Sequence, residues 1–409
     1  MSDKITKSPQ IRFAKFTDAW EQRKLGDEFS KVNERNDGSF GKEHWISVAK
    51  MYFQDPEKVQ SNNIDTRTYV MREGDIAFEG HPNAEFKFGR FVANDIGDGV
   101  VSELFPIYRH KSEFDNNYWK HAIQIERIMA PIFTKSITSS GNSSNKLDEK
   151  HFLRQSIFVP TIEEQHKIGD LFKNLDNLIT LHQRKYDKLV ILKKSMFEKM
   201  FPKYGANVPE IRFAGFTDVW GQRKLESICG KIRNAFVGVA TPYYVEGGHF
   251  YLESNNVKDG QINRNKQVFI NDEFYKKQKN NWLHTGDLVM VQSGHVGHTA
   301  VIPEELDNTA AHALIIFSNY REKVDPYFLN YQFQTHKSKK KLGNITTGNT
   351  IKHILASEMK NFQVDIPKYE EQKKIGNFFR QLDDTITLHQ RELNSLKNLK
   401  KSLLQQMFI

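Results

Sequence analysis

Two stretches of this chain carry apolar residues at alternating steps of three and four. The first reads Phe172, Leu175, Ile179, His182, Tyr186, Leu189, Lys193, Met196, Met200; the second reads Phe379, Leu382, Ile386, His389, Leu393, Leu396, Lys400, Leu403, Met407. That rhythm predicts helices with one apolar stripe facing a partner helix. Thr161 and Glu164 stand at capping-box spacing after Pro160, and Pro202 with Gly205 stops the run, so one helix is expected from Glu163 to Phe201. A second is expected from Glu370 to Phe408, after Pro367 but with Lys368 at the cap position. Each would be a rod of roughly 58 Å. The seams agree position by position, so the helices are expected to pair with each other as an antiparallel coiled coil. His182 and His389 fall at equivalent seam positions near the helix midpoints, where such a pair would bring them together. A polar layer that fixes register fits them better than a metal or proton site, because no third ligand type recurs nearby.

Outside the helices the pattern shortens. Strand-like pieces are Tyr69 to Met71, Asp75 to Phe78, Asp287 to Val291, Thr299 to Ile302 and Ala313 to Phe317, separated by Gly, Asn and Asp clusters. Helical stretches are expected from Asn116 to Ile128 and from Asp325 to Lys340. The fold class is therefore mixed α/β: two globular domains joined by two long helices.

The chain also says nearly the same thing twice. Pro9-Gln-Ile-Arg-Phe-Ala-Lys-Phe-Thr-Asp-Ala-Trp-Glu-Gln-Arg-Lys-Leu25 returns as Pro209-Glu-Ile-Arg-Phe-Ala-Gly-Phe-Thr-Asp-Val-Trp-Gly-Gln-Arg-Lys-Leu225, an offset of 209 − 9 = 200. Glu163-Glu-Gln-His-Lys-Ile-Gly169 returns as Glu370-Glu-Gln-Lys-Lys-Ile-Gly376, an offset of 370 − 163 = 207. Gly74-Asp75 pairs with Gly286-Asp287 at 286 − 74 = 212. Changing offsets put insertions inside the inserts and leave the frame intact, as expected when a fixed scaffold carries variable reading loops. The period is far too long for a solenoid. The domains expected are 1–160 and 205–367, with helices at 161–204 and 368–409 giving a pseudo-two-fold duplicate.

Composition narrows the class. Lys and Arg total 59 against 50 Asp and Glu in 409 residues, a net charge of +9, which favours a polyanion partner. The single cysteine, Cys229, excludes an internal disulfide framework and a Cys-rich zinc site. The start, Met1-Ser-Asp-Lys-Ile-Thr-Lys7, lacks an apolar signal region, and no stretch nears the roughly 18 apolar residues of a membrane span. A cytoplasmic protein without membrane contact is expected.

Candidate chemistry is sparse. Asp325-Pro-Tyr-Phe328 resembles the Asn/Asp-Pro-Pro-Tyr/Phe site of amino-directed DNA methyltransferases but has one proline and no glycine-rich cofactor loop, so a helix start is the better reading. Asp75 with Glu85-Phe-Lys87 has a loose nuclease spacing that the second half does not repeat. His295-Val-Gly-His298 has no evident metal partner and reads as a polar loop. The recurring polar loops, Ser139-Ser-Gly-Asn-Ser-Ser-Asn-Lys146 and Thr346-Thr-Gly-Asn-Thr-Ile-Lys-His353, suit phosphate or base-edge contacts. The DNA-binding candidates are thus Thr347, Asn349, Lys352 and His353, with Gln292 and Ser293 at the end of the strand after Gly286-Asp287, and Asn142 and Lys146 in the first half. No catalytic or metal-ligating residue is expected.

Taken together, Ile-Arg-Phe-x-x-Phe-Thr-Asp-x-Trp-x-Gln-Arg-Lys-Leu opening each half and Pro-x-x-Glu-Glu-Gln-x-Lys-Ile-Gly opening each helix resemble the DNA-specificity (S) subunit of type I restriction–modification systems, essentially end to end. The first insert departs where Glu79-Gly80-His81-Pro82 replaces a Ser-Gly loop. The resemblance implies two target-recognition domains reading the halves of a bipartite double-stranded DNA site across a spacer set by the coiled coil. It implies docking of two modification subunits, which use S-adenosylmethionine, and through them restriction subunits that use ATP and Mg2+; this chain itself would hold no cofactor. The alternative is an enzyme that modifies or cleaves DNA on its own.

Overall fold

The computed structural model describes residues 8–59, 64, 67–140, 144–348 and 352–409. The chain divides into two compact units: Met1–Gln183 with Arg391–Ile409, and Arg184–Gln390. Helix and strand are mixed throughout both. Among the described residues no helix is long and apolar enough to cross a membrane.

The first unit is built on a four-stranded antiparallel sheet in the order Phe29–Lys31, Ile107–His110, Ile76–Glu79, Arg90–Ala93. Its inner face buries Phe78, Phe91 and Tyr108 against Phe133 and Phe152, with ring centroids 4.9–5.8 Å apart. The second unit repeats the plan with Cys229–Asn234, Leu314–Tyr320, Leu288–Val291 and Thr299–Val301 in the same order. The register repeats too: Ile76 faces Tyr108 and Leu288 faces Phe317. Strand burial on both faces explains why these segments read as short apolar runs without clean alternation. The Cys229 thiol is buried at the sheet edge, and desolvation pushes it up to about 12, leaving it a small apolar side chain.

Gly74 and Gly286 occupy matching turns at φ +88 and +86. In each, the following aspartate caps the turn: Arg72 N–H donates to Asp75 Oδ2 at 2.8 Å, and His284 N–H to Asp287 Oδ2 at 2.9 Å. Only glycine takes that backbone conformation without steric cost.

Two expected helices are each split. Asn116–Ala122 and Glu126–Ser136 replace the single run from Asn116, and Pro326–Gln334 and His336–Ile345 replace the run from Asp325. The second split has a visible cause: Thr335 is extended and its side chain accepts the Ser338 N–H, capping a new helix.

The long helices run Ile162–Lys199 and Tyr369–Gln406. Both stop before the apolar pairs that sequence periodicity extends them through. Met200 and Phe201 turn into the second unit's core, and Met407 and Phe408 into the first unit's core. In the first unit, Phe408 meets Tyr118, Phe172 and Trp20 at 5.4, 5.7 and 6.4 Å between centroids. In the second, Phe201 meets Phe328, Phe379 and Trp220 at 5.7, 5.9 and 6.1 Å. All the predicted seam positions, including Leu175, Ile179, Leu189, Leu382, Ile386 and Leu396, are buried or half-buried, while Lys173, Asn174, Asn177, Leu178, Thr180 and Leu181 are exposed.

Each unit holds a pair of oppositely directed helix segments. In the first, Asp176 takes Lys400 at 2.5 Å and His182 takes Glu392 at 3.0 Å. In the second, Lys193 reaches Asp383 at 2.5 Å and Phe197 packs on Phe379. The frame also repeats the carboxylate's other partner: His121 Nε2 lies 3.1 Å from Asp176, and the Tyr331 hydroxyl donates to Asp383 at 2.9 Å. Burial pushes the Asp176 carboxyl up, but hydrogen bonds from His121 and Lys400 overcome it and hold the group at about 2. The folded value lies below the unfolded one, so this contribution is complete above about pH 4 and is lost as pH falls towards about 2. Acid titration of the first unit's unfolding, read by circular dichroism, should show this loss, and Asp176→Asn should flatten it. An unchanged acid limb in that variant would show that Asp176 carries none of it.

Candidate nucleic-acid interface

The recurring sequence words form a latch that holds each globular part to its helix. Arg12 donates through Nε and Nη2 to Glu164 at 2.9 and 2.7 Å, and Trp20 Nε1 donates to the same carboxylate at 3.2 Å. Arg212 donates likewise to Glu371 at 2.8 and 2.7 Å. Both glutamates are 1% exposed. The next residue, Gln165 or Gln372, accepts the amide of Asp115 or Asp325 and donates to the carbonyl of Pro160 or Pro367. Asp115 and Asp325 in turn cap the helices that follow them, each accepting at 2.7 Å from the amide of Tyr118 or Phe328. A Cβ on Gly169 or Gly376 would collide with that aspartate's Oδ1. Asp325 is thus a helix cap tied to the frame, as the sequence reading favours. The words Arg, Glu-Gln and Gly are structural.

Asp75 is equally occupied. Arg109 donates to it at 2.8 and 2.9 Å, and Arg72 N–H takes the second oxygen as well. It is 1% exposed and burial raises its pKa despite the guanidinium. Glu85 sits outside, in a turn held by Asn83. The nuclease spacing therefore does not converge on a shared cation site.

In the second unit five of the six second-half candidates meet at one end of the sheet; Asn349 lies outside the described residues. Thr347 and His353 pair their main chains in both directions at 2.9 and 2.8 Å, and Ser293 bridges to His353. Gln292 O accepts from Ile354 N–H at 3.0 Å, and Gly294 N–H donates to Lys352 O at 3.1 Å. Because these main-chain groups satisfy one another, the exposed side chains of Thr347, Lys352 and His353 remain available for a ligand. Gln292 and Ser293 are half-buried beside them. The row continues across the sheet end: Gln292 N–H donates to Ala313 O, and Ala313 N–H to Phe236 O. Ala313 is held at φ +52, an uncommon conformation for a residue with a Cβ.

In the first unit both ends of the equivalent segment are paired strands, and residues 141–143 between them lie outside the described residues. Ile137–Ser140 pairs with Asn145–Leu147, and Lys146 lies opposite Ser139. Asn145 N–H donates to Gly80 O at 2.8 Å, so this pair lies over the end of Ile76–Glu79. That end corresponds to Gln292 in the other unit. A side chain on Gly80 would strike Asn145 O, which accounts for the glycine of Glu79-Gly80-His81-Pro82. Lys146 is exposed there; Asn142 lies outside the described residues. Glu79 is nearly buried beneath, 3.2 Å from His81 and 3.4 Å from Arg90.

Sequence reasoning missed Lys339 and set His298 aside as a loop residue, yet both stand beside Lys352. The available signal was the lysine run Lys337 to Lys341, which also fits an ordinary solvated helix face.

Comparison with known proteins agrees with this architecture. The model of the type I restriction modification DNA specificity domain matches residues 18–190 and again 218–398. The type I restriction enzyme MjaVIII specificity subunit of Methanocaldococcus jannaschii is 22% identical over 402 residues, covering 94% of this chain and 91% of that one. The EcoBI specificity subunit of Escherichia coli is 22% identical over 194 residues, 46% of this chain and 41% of that one. The crystal structure of a type I restriction–modification S subunit from M. genitalium shares the fold, with a TM-score of 0.55 at 13% identity over 98% of this chain and 99% of that one.

Proposed function

Since the chain belongs to the type I restriction modification DNA specificity family, we propose that it reads a bipartite DNA sequence, one half-site per unit, and performs no chemistry itself. One observation carries the reading. The same latch recurs inside each of two units of one sheet plan, and the corresponding sheet ends present unlike side chains: His81 and Lys146 in one, Gln292, Ser293, Thr347, Lys352 and His353 in the other. Asn, Gln, His and Glu discriminate base edges, whereas Lys mostly fixes position on phosphates.

The two long helices serve as an antiparallel intramolecular coiled coil that sets the unread spacer. Their exposed faces dock two modification subunits, and through these the restriction subunits. S-adenosylmethionine, ATP and Mg2+ belong to those partners, where methyl transfer and cleavage occur. A cytoplasmic location follows from that role.

The test is methylome sequencing of cells carrying this chain with its partner subunits. A split sequence with a spacer of fixed length is expected. Exchanging residues 26–138 for those of a relative should change one half of it and leave the other intact. Both halves changing together would defeat the one-unit-per-half reading, and methylation or cleavage by the purified chain alone would establish the enzymatic alternative.

A further inference from the structure

We propose that a cleft on the second unit, formed by His298, Lys339, Lys352, Gly343 and Thr346, seats one phosphate of the DNA backbone beside the second half-site, and that the described residues of the first unit form no such seat. The inference rests on the DNA-reading function above and adds to it a residue, a ligand group and an asymmetry between the halves.

The cleft has a volume of 360 Å3 and adjoins the base-reading row, since Lys352 precedes His353 and its carbonyl anchors Gly294. Two ammonium groups line it. The other lysines of helix His336–Ile345 are engaged: Lys337 with Asp365 at 2.8 Å, Lys341 with the carbonyl of Gln363 at 3.2 Å, and Lys340 over the Tyr204 ring. Among the described residues neither Lys339 nor Lys352 has a carboxylate partner, and no acid lines the cleft. His298 adds a hydrogen-bond donor of known tautomer. Its Nδ1 accepts the Asp259 amide at 3.2 Å, so the proton of the neutral ring sits on Nε2. Burial and the neighbouring Lys339, His295 and Lys258 hold that ring's pKa below its usual value against the pull of Asp259. Two cations and a neutral donor match one phosphodiester, and the nearby Asp259 carboxylate lies 3.7 Å from the ring's other nitrogen, Nδ1.

The first unit differs at the same place. The two helices end alike, with C-caps at Ile137 and Thr346, which aligns them at an offset of 346 − 137 = 209. Lys339 then corresponds to Ala130, which carries no charge. The nearby Arg127 is spent on the carbonyls of Gln405 and Phe408, at 2.9 and 2.6 Å. The ionic grip is therefore lopsided.

The experiment uses the chain assembled with its modification subunits on duplexes containing the sequence that the complex methylates. Single methylphosphonate linkages, which remove one backbone charge, are scanned across both half-sites. The wild-type complex should lose affinity at a linkage beside the second half-site. Lys339→Gln should no longer respond there, and its log–log salt dependence should be shallower by about 1, with the same sequence methylated. Lys339→Arg should restore both. Lys339→Gln is a surface change, and an unchanged melting temperature verifies folding; Lys339→Ala, the first unit's residue, should give the same result. A Lys339→Gln complex that keeps the full salt slope and the same methylphosphonate response, while still methylating its sequence, removes the seat and leaves DNA reading intact. A wild-type complex that selects no sequence removes both.

Discussion

Glu371→Ala is expected to destabilise the second unit by about 3–5 kcal/mol, because it strands the Arg212 guanidinium, whose side chain is 11% exposed, without its carboxylate. The change should lower that unit's thermal midpoint by roughly 10 °C. Arg212→Ala should cost a similar amount, and the double variant far less than the sum, since each single change already breaks the same pair. Glu164→Ala should act in the same way on the first unit, with an added loss because Trp20 Nε1 shares that carboxylate. Calorimetry of the four variants decides the matter. A loss below about 1 kcal/mol would mean the latch behaves as an exposed ion pair.

Phe408→Ala should destabilise the first unit by about 3–5 kcal/mol, the range for deleting a buried phenyl ring that its surroundings cannot refill. Phe408 is 2% exposed and touches three other aromatic rings. Hydrogen exchange gives the readout. Amides around Trp20, Tyr118 and Phe172 should exchange faster, and those of residues 184–390 should keep their protection. Phe201→Ala should give the mirror result, with Trp220, Phe328 and Phe379 losing protection. Equal loss in both units from either change would mean that each ring supports the whole molecule and not its own core.

The long helices were legible because a seam of nine matched positions leaves little else for the chain to do. Their last residues were not. Met200 fits the seam's rhythm and Phe201 follows it directly, yet a large apolar pair just before Pro202 gains more from a globular core than from a fraying helix end. The break at Thr335 was also invisible, since it needs neither Gly nor Pro and depends on a local cap. The repeated words were visible without their meaning. Arg12 and Glu164 lie 152 residues apart, and nothing in either stretch names the other as its partner. At the site, Gln292 and Ser293 were named separately from the loop that ends at His353, and the bridge that joins Ser293 to His353 is a tertiary contact that no local pattern announces. Lys339 stayed hidden because a lysine run gives no sign of which side chain will be left facing a cleft.

The placement of Phe408 also has a consequence in time. A ribosome making this chain releases Trp20, Tyr118 and Phe172 early, but the ring that completes their cluster is 408 − 172 = 236 residues further on. At about 5–20 residues per second that interval is roughly 10–50 s. The second unit's core, from Met196 to Phe379, is made without a stretch of the other unit between its parts. The half made first therefore finishes last, and during synthesis the N-terminal half carries an open aromatic pocket that a chaperone must guard or the emerging C-terminal helix must close.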